Sequence, residues 1–326
     1  MSRPSIREAL NAPPSACGVS VGGQALIEGI MMRNKEVYAF AVRTPGGIVV
    51  RRGGINTSGR PAFMKLPIVR GSVALFDSMV LGMRLMSASA ELAIDAVPEP
   101  EKPSRFEAWL ERKFGDKLTD YVLYVSVALS LVLGVGLFIL LPAFIASFIN
   151  PLIGENTWAL GIVEGVLRIM ILVAYVFLIS RMKDVQRVFQ YHGAEHKAIN
   201  CLESGRELSV ENVLGCSRLH KRCGTSFLLF VMVISMVAFF FVQTDVILMR
   251  MLMRIVLVPI IAGTAFEVIR WAGRSASPLV KLVSAPGMYL QLLTTREPDA
   301  TQAEVAIRAL NEVLEDTPEG EANAAS

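Results

Sequence analysis

The sequence is poor in several features that would mark other classes of protein. Only 19% of its 326 residues are charged and the formal net charge is +3. No basic cluster is interleaved with aromatics, so the electrostatic footprint of a nucleic-acid partner is missing. The four cysteines show no framework spacing, which argues against a disulfide-stapled scaffold. The first 21 residues hold Pro4, Pro13 and Pro14 and no apolar run of signal-peptide length, so membrane entry is expected to use internal segments. No internal repeat is visible.

What the chain has instead is apolar length. Apolar residues make up 53% of it, and the mean hydropathy is +0.49. A hydrocarbon core about 30 Å thick needs about 20 mostly apolar residues per helix. Stretches at about 122–149, 158–180, 226–248 and 252–270 meet that need. The last is the weakest, with only 12 residues between Arg254 and Glu267. The 181–224 segment is rich in Lys and Arg and the 150–157 loop has none. The positive-inside rule therefore puts the long segment and both termini in the cytoplasm, as in a multi-pass protein of the cytoplasmic (inner) membrane.

The expected fold is a mostly α membrane protein. It has about four transmembrane helices, a small N-terminal α+β cytoplasmic element and interfacial helices. Along the chain this gives a flexible leader (1–17), a glycine-rich α+β element (18–70) and amphipathic or interfacial helices (71–120). Transmembrane helices 1–2 (121–180), a cytoplasmic His/Glu/Cys segment (181–224) and transmembrane helices 3–4 (225–272) follow. Interfacial and amphipathic helices (273–316) and a disordered tail (317–326) complete it. Within the α+β element, VYAFAVR and IVVRR flank Thr44-Pro45-Gly46-Gly47 and read as a hairpin. Residues 72–95 read as an interfacial or protein-buried helix with one polar stripe, Asp77, Arg84, Glu91 and Asp95. Ser277 to Leu293 reads as two short apolar pieces broken at Pro286-Gly287, and Thr301 to Glu304 as a capping box opening a helix to Glu315.

The chemistry concentrates in one place. All three histidines and three of the four cysteines lie between His192 and Cys223. At its centre stands His192-Gly-Ala-Glu195-His196. On a helix, His192 and His196 sit one turn apart on one face and can grip a divalent metal, zinc by preference, at Zn–N distances of about 2.0–2.1 Å. Glu195 shares that face and can serve as general base to a water the metal has acidified. H-x-x-E-H is also a metalloprotease arrangement. The third ligand is open among His220, Cys223 and Glu267.

Plainer readings stand beside these. The histidines could only hydrogen-bond backbone or lipid headgroups, and Cys201 and Cys216 could be small buried hydrophobes. His220 and Cys223 could belong to a structural zinc site, and Glu267 could pair with Arg270 or Arg254. Glu164 and Arg168, four apart inside the second span, read as an ion pair. GGQALIEG at 22–29 fits neither a Walker loop nor a dinucleotide fingerprint, although Gln24 and Glu28 could face one site.

Four stretches carry a resemblance: GGQALIEGIMMR at 22–33, YHGAEHKAINCLESG at 191–205, SRLHKRCGTSFLL at 217–229 and LQLLTTREPDATQAEVAIRAL at 290–310. They resemble the YqhQ-like family of bacterial membrane proteins, over about residues 18–314. That family is described as metal-dependent enzymes on the strength of the same histidine motif. The resemblance implies that His192, Glu195, His196, His220, Cys223 and Glu28 are motif positions. Lys221 departs from it, standing where proline is expected after the histidine.

The functional expectation is a membrane-embedded metal-dependent hydrolase with Glu195 as base, acting on a membrane-protein segment or a lipid headgroup. Membrane lipid is its expected surroundings. A non-catalytic scaffold, or a transporter working through Glu164, Arg168 and Glu267, is the alternative.

Overall fold

The computed structural model describes residues 21–35, 37–55, 60–94, 118–153, 157–242, 247–272 and 277–315. The expected leader, the charged stretch before residue 118 and the expected tail lie outside these residues.

Alternating apolar residues and well-placed glycines build a four-stranded antiparallel sheet in the order β1 (Gly22–Leu26), β2 (Gly29–Arg33), β3 (Val37–Thr44) and β4 (Gly47–Gly54). The expected β3–β4 hairpin closes through Pro45-Gly46, with Thr44 Oγ1 donating to the Gly47 carbonyl at 3.0 Å. Gly47 sits at φ +126°, a conformation that favours glycine. β1 and β2, which the sequence marks only as a glycine-punctuated run, turn through Ile27-Glu28.

The helices are α1 (Val69–Ile94), α2 (Leu118–Val135), α3 (Leu141–Ile149), α4 (Thr157–Ile179), α5 (Lys183–Glu203) and α6 (Val210–Gly215). α7 (Gly224–Phe240), α8 (Ile247–Ala272), α9 (Pro278–Thr294) and α10 (Ala300–Leu314) follow. They fall into two units, one of residues 1–95 with 175–326, the other of residues 96–174.

In the first unit both faces of the sheet are buried. Ala25, Ile30, Met32, Ala39 and Ala41 pack with residues of α5 and α10. Leu26, Met31, Phe40 and Val42 pack with Leu85 of α1. The N-terminal strands therefore share a core with the C-terminal helix. In the second unit a π-helical turn, Gly136–Leu140, joins α2 to α3. Arg168 of α4 donates to Glu164 at 2.7 Å and to the Phe138 carbonyl in that turn at 2.9 Å. The expected ion pair is thus also a brace on the α2–α3 junction.

The protein is mostly helical, and among the described residues four helical stretches are long and apolar enough to cross a membrane: Val69–Ala93, Ala128–Ile149, Trp158–Ile179 and Leu252–Ala272. Three of these are expected spans, and the fourth, in α1, was not expected to cross. The 26-residue α1, read as interfacial, is about 39 Å long at 1.5 Å per residue. In the described part of the 226–248 stretch lies the 17-residue α7, about 25 Å long and by itself shorter than a hydrocarbon core. α1 crosses α8 where Gly71 meets Gly263, at a point where a Cβ on Gly71 would lie 2.8 Å from the Gly263 carbonyl oxygen. Such close approach needs small residues.

Two local expectations are corrected. Residues 278–294 form one helix, not two pieces. Ser277 caps it, and Pro286 is carried inside it where Gly287 meets Ser226 of α7 in close contact. The capping box of α10 is Asp299 with Gln302, not Thr301 with Glu304. A carboxylate at the positive end of a helix outcompetes a hydroxyl. Here the Thr301 hydroxyl itself donates to Asp299 at 2.6 Å, and Glu304 pairs with Arg43 at 2.7 Å.

Candidate metal centre

α5 is a new helix after a turn at residues 180–182, not an extension of α4, and it still sets His192, Glu195 and His196 on one face. Polar for much of its length, it is nevertheless buried from Tyr191 to Cys201 except at His192 and Asn200. The sheet packs on one side of it and the chain from Gly215 to Cys223 on another.

That returning chain is tied down by α5 itself. Lys197 Nζ donates to the carbonyls of Leu214 and Cys216, each at 2.8 Å, and pairs with Glu297 at 3.0 Å. Asn200 donates to the carbonyls of Ser217 at 2.7 Å and Leu219 at 3.0 Å. From α9, the fully buried Gln291 accepts from the His220 amide at 2.9 Å. It donates to the His220 carbonyl at 2.8 Å and to the Ser226 hydroxyl at 3.0 Å. These ties bring Cys223 to the two histidines.

His192 Nδ1 bonds the Thr294 carbonyl at 2.8 Å, and His196 Nδ1 bonds the Arg218 carbonyl at 2.6 Å. A carbonyl only accepts, so each Nδ1 carries a proton and it is Nε2 that each ring turns toward the cluster. This is the orientation that metal-ligating histidines show. His192 Nε2 lies 3.2 Å from Cys223 Sγ. One ligand atom from each of His192, His196 and Cys223 falls within 4.8 Å of the others. A tetrahedral zinc site needs about 3.4–3.7 Å between such atoms, given Zn–N and Zn–S bonds of about 2.1 and 2.3 Å. The three donors lie near that spacing, with the His192–Cys223 pair a little closer than it and no pair beyond 4.8 Å. Cys223 also caps α7, accepting from the Thr225 amide at 3.4 Å, a setting that favours thiolate.

Glu195 stands beside this group, with Oε2 4.0 Å from His192 Nε2. β1 touches it through Gly23, where a Cβ would meet Glu195 Cγ and Oε1 at 2.7 and 2.8 Å. Burial raises the Glu195 carboxyl above the usual carboxylate range, against the pull of the imidazoles of His196 and His192. Burial alone would raise Cys223, but the two imidazoles hold its thiol well below the ordinary value. Burial alone would lower His192, but the neighbouring sulfur and the Glu195 carboxylate raise it to about 9.

The other candidates lie differently. His220 is next to His196, with ring centroids 5.7 Å apart, and burial lowers its pKa. Its Nε2 faces Glu203 at 3.3 Å and its Nδ1 accepts from the Arg222 amide at 3.4 Å, so neither nitrogen points to the cluster. Glu267 is not brought to the histidines. Arg70 of α1 clasps its carboxylate through two bonds of 2.6 Å, a partner that neither Arg270 nor Arg254 suggested. Glu28 binds Arg187, and the Tyr191 hydroxyl donates to it at 3.1 Å. It thus pins the β1–β2 turn to α5, while Gln24 faces α1 at Gly82. Cys201 is buried, its thiol raised to about 12 by burial and by Cys216, and neither joins the group.

A cavity of about 1060 Å³ opens against the cluster. His192, Glu195, His196 and Cys223 border it together with β1 from Val21 to Ala25, and with Asp77 and Arg84 of α1 and Arg270 of α8.

Residues 66–316 match a family described as a protein of unknown function, DUF1385. The chain is also 36% identical over 298 residues to the uncharacterized protein YqhQ of Bacillus subtilis strain 168, covering 90% of this chain and 92% of that one. The chain belongs to this YqhQ-like DUF1385 family. The resemblance read from the four motifs therefore holds. The DUF1385 match takes in α1 and the whole His/Cys cluster, while the sheet lies before its first residue. No solved structure matches the chain.

Proposed function

We propose that this DUF1385 protein is a membrane-embedded, metal-dependent hydrolase. A divalent metal, zinc by its donor set, is held by His192, His196 and Cys223 at the cytoplasmic face of the inner membrane. The observation that carries this reading is the pair of Nδ1 bonds to backbone carbonyls, which turns both Nε2 atoms toward one cysteine sulfur. Three nitrogen and sulfur donors with an open position beside a cavity suit a catalytic site better than a closed structural one.

Zinc held there would supply an acidified water and polarise a carbonyl or phosphoryl oxygen. The protein's own groups do the rest. Glu195 accepts and returns a proton from its place against Gly23. Thr294 and Arg218 fix the imidazoles by their carbonyls. His220, neutral in its burial, backs His196. The Glu164–Arg168 pair, held by the Phe138 carbonyl, is structural in this reading, which weakens the transporter alternative.

Metal content of detergent-purified protein tests it. Wild type prepared without chelator is expected to carry about one equivalent of zinc or a similar metal. His192→Ala/His196→Ala and Cys223→Ser should lose it, while Glu195→Gln keeps it and abolishes hydrolysis. Wild-type protein without metal would overturn the proposal. The 3.2 Å His192–Cys223 contact favours a second reading, a thiolate nucleophile with an imidazole partner. Metal-free protein whose Cys223 is rapidly alkylated, with a rate that falls in His192→Ala, would select it.

A further inference from the structure

β1 is an edge strand, and the register shows what its outer edge offers. The Arg43 amide donates to the Glu28 carbonyl at 2.8 Å, so β2 turns its even-numbered residues toward β3. Its odd-numbered residues, Gly29, Met31 and Arg33, then bond Leu26, Gln24 and Gly22 of β1. By alternation, Gly23 and Ala25 aim their N–H and C=O groups away from the sheet. Those groups have no partner among the described residues. Ala25 is only 8% exposed, so its outward polar groups are poorly served by water. The same edge, from Val21 to Ala25, lines the cavity that holds the cluster.

Gly22 and Gly23 carry no side chain that could overhang this edge. A further strand would lie about 4.8 Å from β1 and would pass the Glu195 side of the cluster. The cavity, at about 1060 Å³, is at the upper end of the range of about 300–1,000 Å³ usual for small-molecule pockets, so it has room for an elongated ligand. Its charge is one-sided. Arg33, Lys35, Arg60, Arg84 and Arg270 line it, against Asp77, which Arg60 already pairs at 2.8 Å, and Glu195. Arg84 has no ion-pair partner among the described residues.

We infer that the free edge of β1 binds an extended, acidic polypeptide segment as an added strand and presents one of its amide bonds to the cluster. This rests on the hydrolase reading and names the substrate class for it. Main-chain pairing supplies affinity without demanding a sequence, and the cationic lining selects acidic side chains. The reaction is hydrolysis. Water adds its oxygen to the acyl carbon, the C–N bond breaks, and Glu195 carries the water's proton to the departing nitrogen, leaving an acid and an amine. A lipid headgroup would make no use of alternating backbone donors and acceptors.

The test uses full-length, metal-loaded protein in detergent and a proteome-derived library of tryptic peptides, read by mass spectrometry for new termini. Cleavage is expected to depend on Glu195 and to favour sites flanked by Asp and Glu. Ala25→Pro removes one outward N–H and no β1–β2 bond, a substitution edge strands tolerate. It should cut cleavage about fivefold to tenfold with metal content unchanged. N-methylation of the best-cleaved peptide, one residue at a time, should block cleavage with a period of two, whatever the fate of the proline variant.

Metal-bound protein that yields no new peptide termini overturns the inference. If it instead releases headgroups from phosphatidylglycerol vesicles, the hydrolase reading survives and the substrate class is lipid. Peptide cleavage with a flat N-methyl scan also overturns the edge-strand mode. Wild-type protein without metal fails the earlier reading, and this one with it.

Discussion

At Gly23 the missing side chain is what lets the Glu195 carboxylate lie against β1. A Cβ there would stand 2.7 Å from Glu195 Cγ and 2.8 Å from both Cδ and Oε1. Those atoms belong to a buried group between a helix and a strand, so they have little room to withdraw. Gly23→Ala should cost about 1–3 kcal/mol as overpacking and push the carboxylate out of line. Metal stoichiometry should be unchanged, since the three atoms nearest the added Cβ all belong to Glu195, while hydrolysis falls at least as far as stability does. Thermal melts, metal analysis and cleavage on the one variant check this, and full activity would show that Glu195 does not need its present position. The histidines and Cys223 were legible in the sequence because metal-binding residue types are scarce and were concentrated in one window. Gly23, and the carbonyls of Thr294 and Arg218, were not. Their contributions are a missing Cβ and two backbone oxygens, which no residue type announces.

Helix ends decide where the elements meet, and α10 is the clearest instance. Asp299 accepts from the Gln302 amide at 3.0 Å and from the Thr301 hydroxyl at 2.6 Å. Burial would raise its carboxyl, but these bonds and the Thr301 amide hold it below the usual range. A carboxyl whose folded pKa is depressed stabilises the fold above its unfolded pKa, near 3.9, and loses that contribution as pH falls through the folded value. Asp299→Ala should therefore cost about 1 kcal/mol at neutral pH, the usual worth of such a cap. The gap in melting temperature between variant and wild type should close below about pH 4. A gap that persists in acid would mean that Asp299 acts by packing and not by charge. Sequence reasoning found the helix but put its cap at Thr301, because a Thr-x-x-Glu pattern and an Asp-x-x-Gln pattern overlap there and only the fold chooses between them. The same limit applies to α9. Pro286-Gly287 read as a break, whereas Gly287 is the point where α9 presses on Ser226, and Gln291 one turn later clasps His220.

On the scale of the whole molecule, the chain joins its two ends. The apolar helices and the β3–β4 hairpin follow from local pattern and were legible. That β1–β4 and α10 bury each other's faces, across more than two hundred residues, was not, since no local period carries a long-range pairing. This architecture makes the C-terminal helix part of the candidate site's support. Val305, Leu310 and Val313 of α10 are fully buried, together with Ala303, Ala306 and Ala309. At about 1.5–3 kcal/mol for each of the three larger side chains, their burial amounts to about 5–9 kcal/mol, comparable to the whole stability of an ordinary domain. A chain ending at Glu297 should therefore lose the sheet's packing on α5 and, with it, the hold on Glu195. The apolar helices, whose sequences lie elsewhere, should still enter the membrane. Limited proteolysis of membrane fractions should then cut the truncated protein within residues 22–54, where the full chain resists, and the purified variant should carry well under one equivalent of metal. If the truncated protein kept its metal and its protease resistance, the His/Cys cluster would be a feature of α5, α7 and α9 alone, and β1 could no longer be counted as one wall of the site.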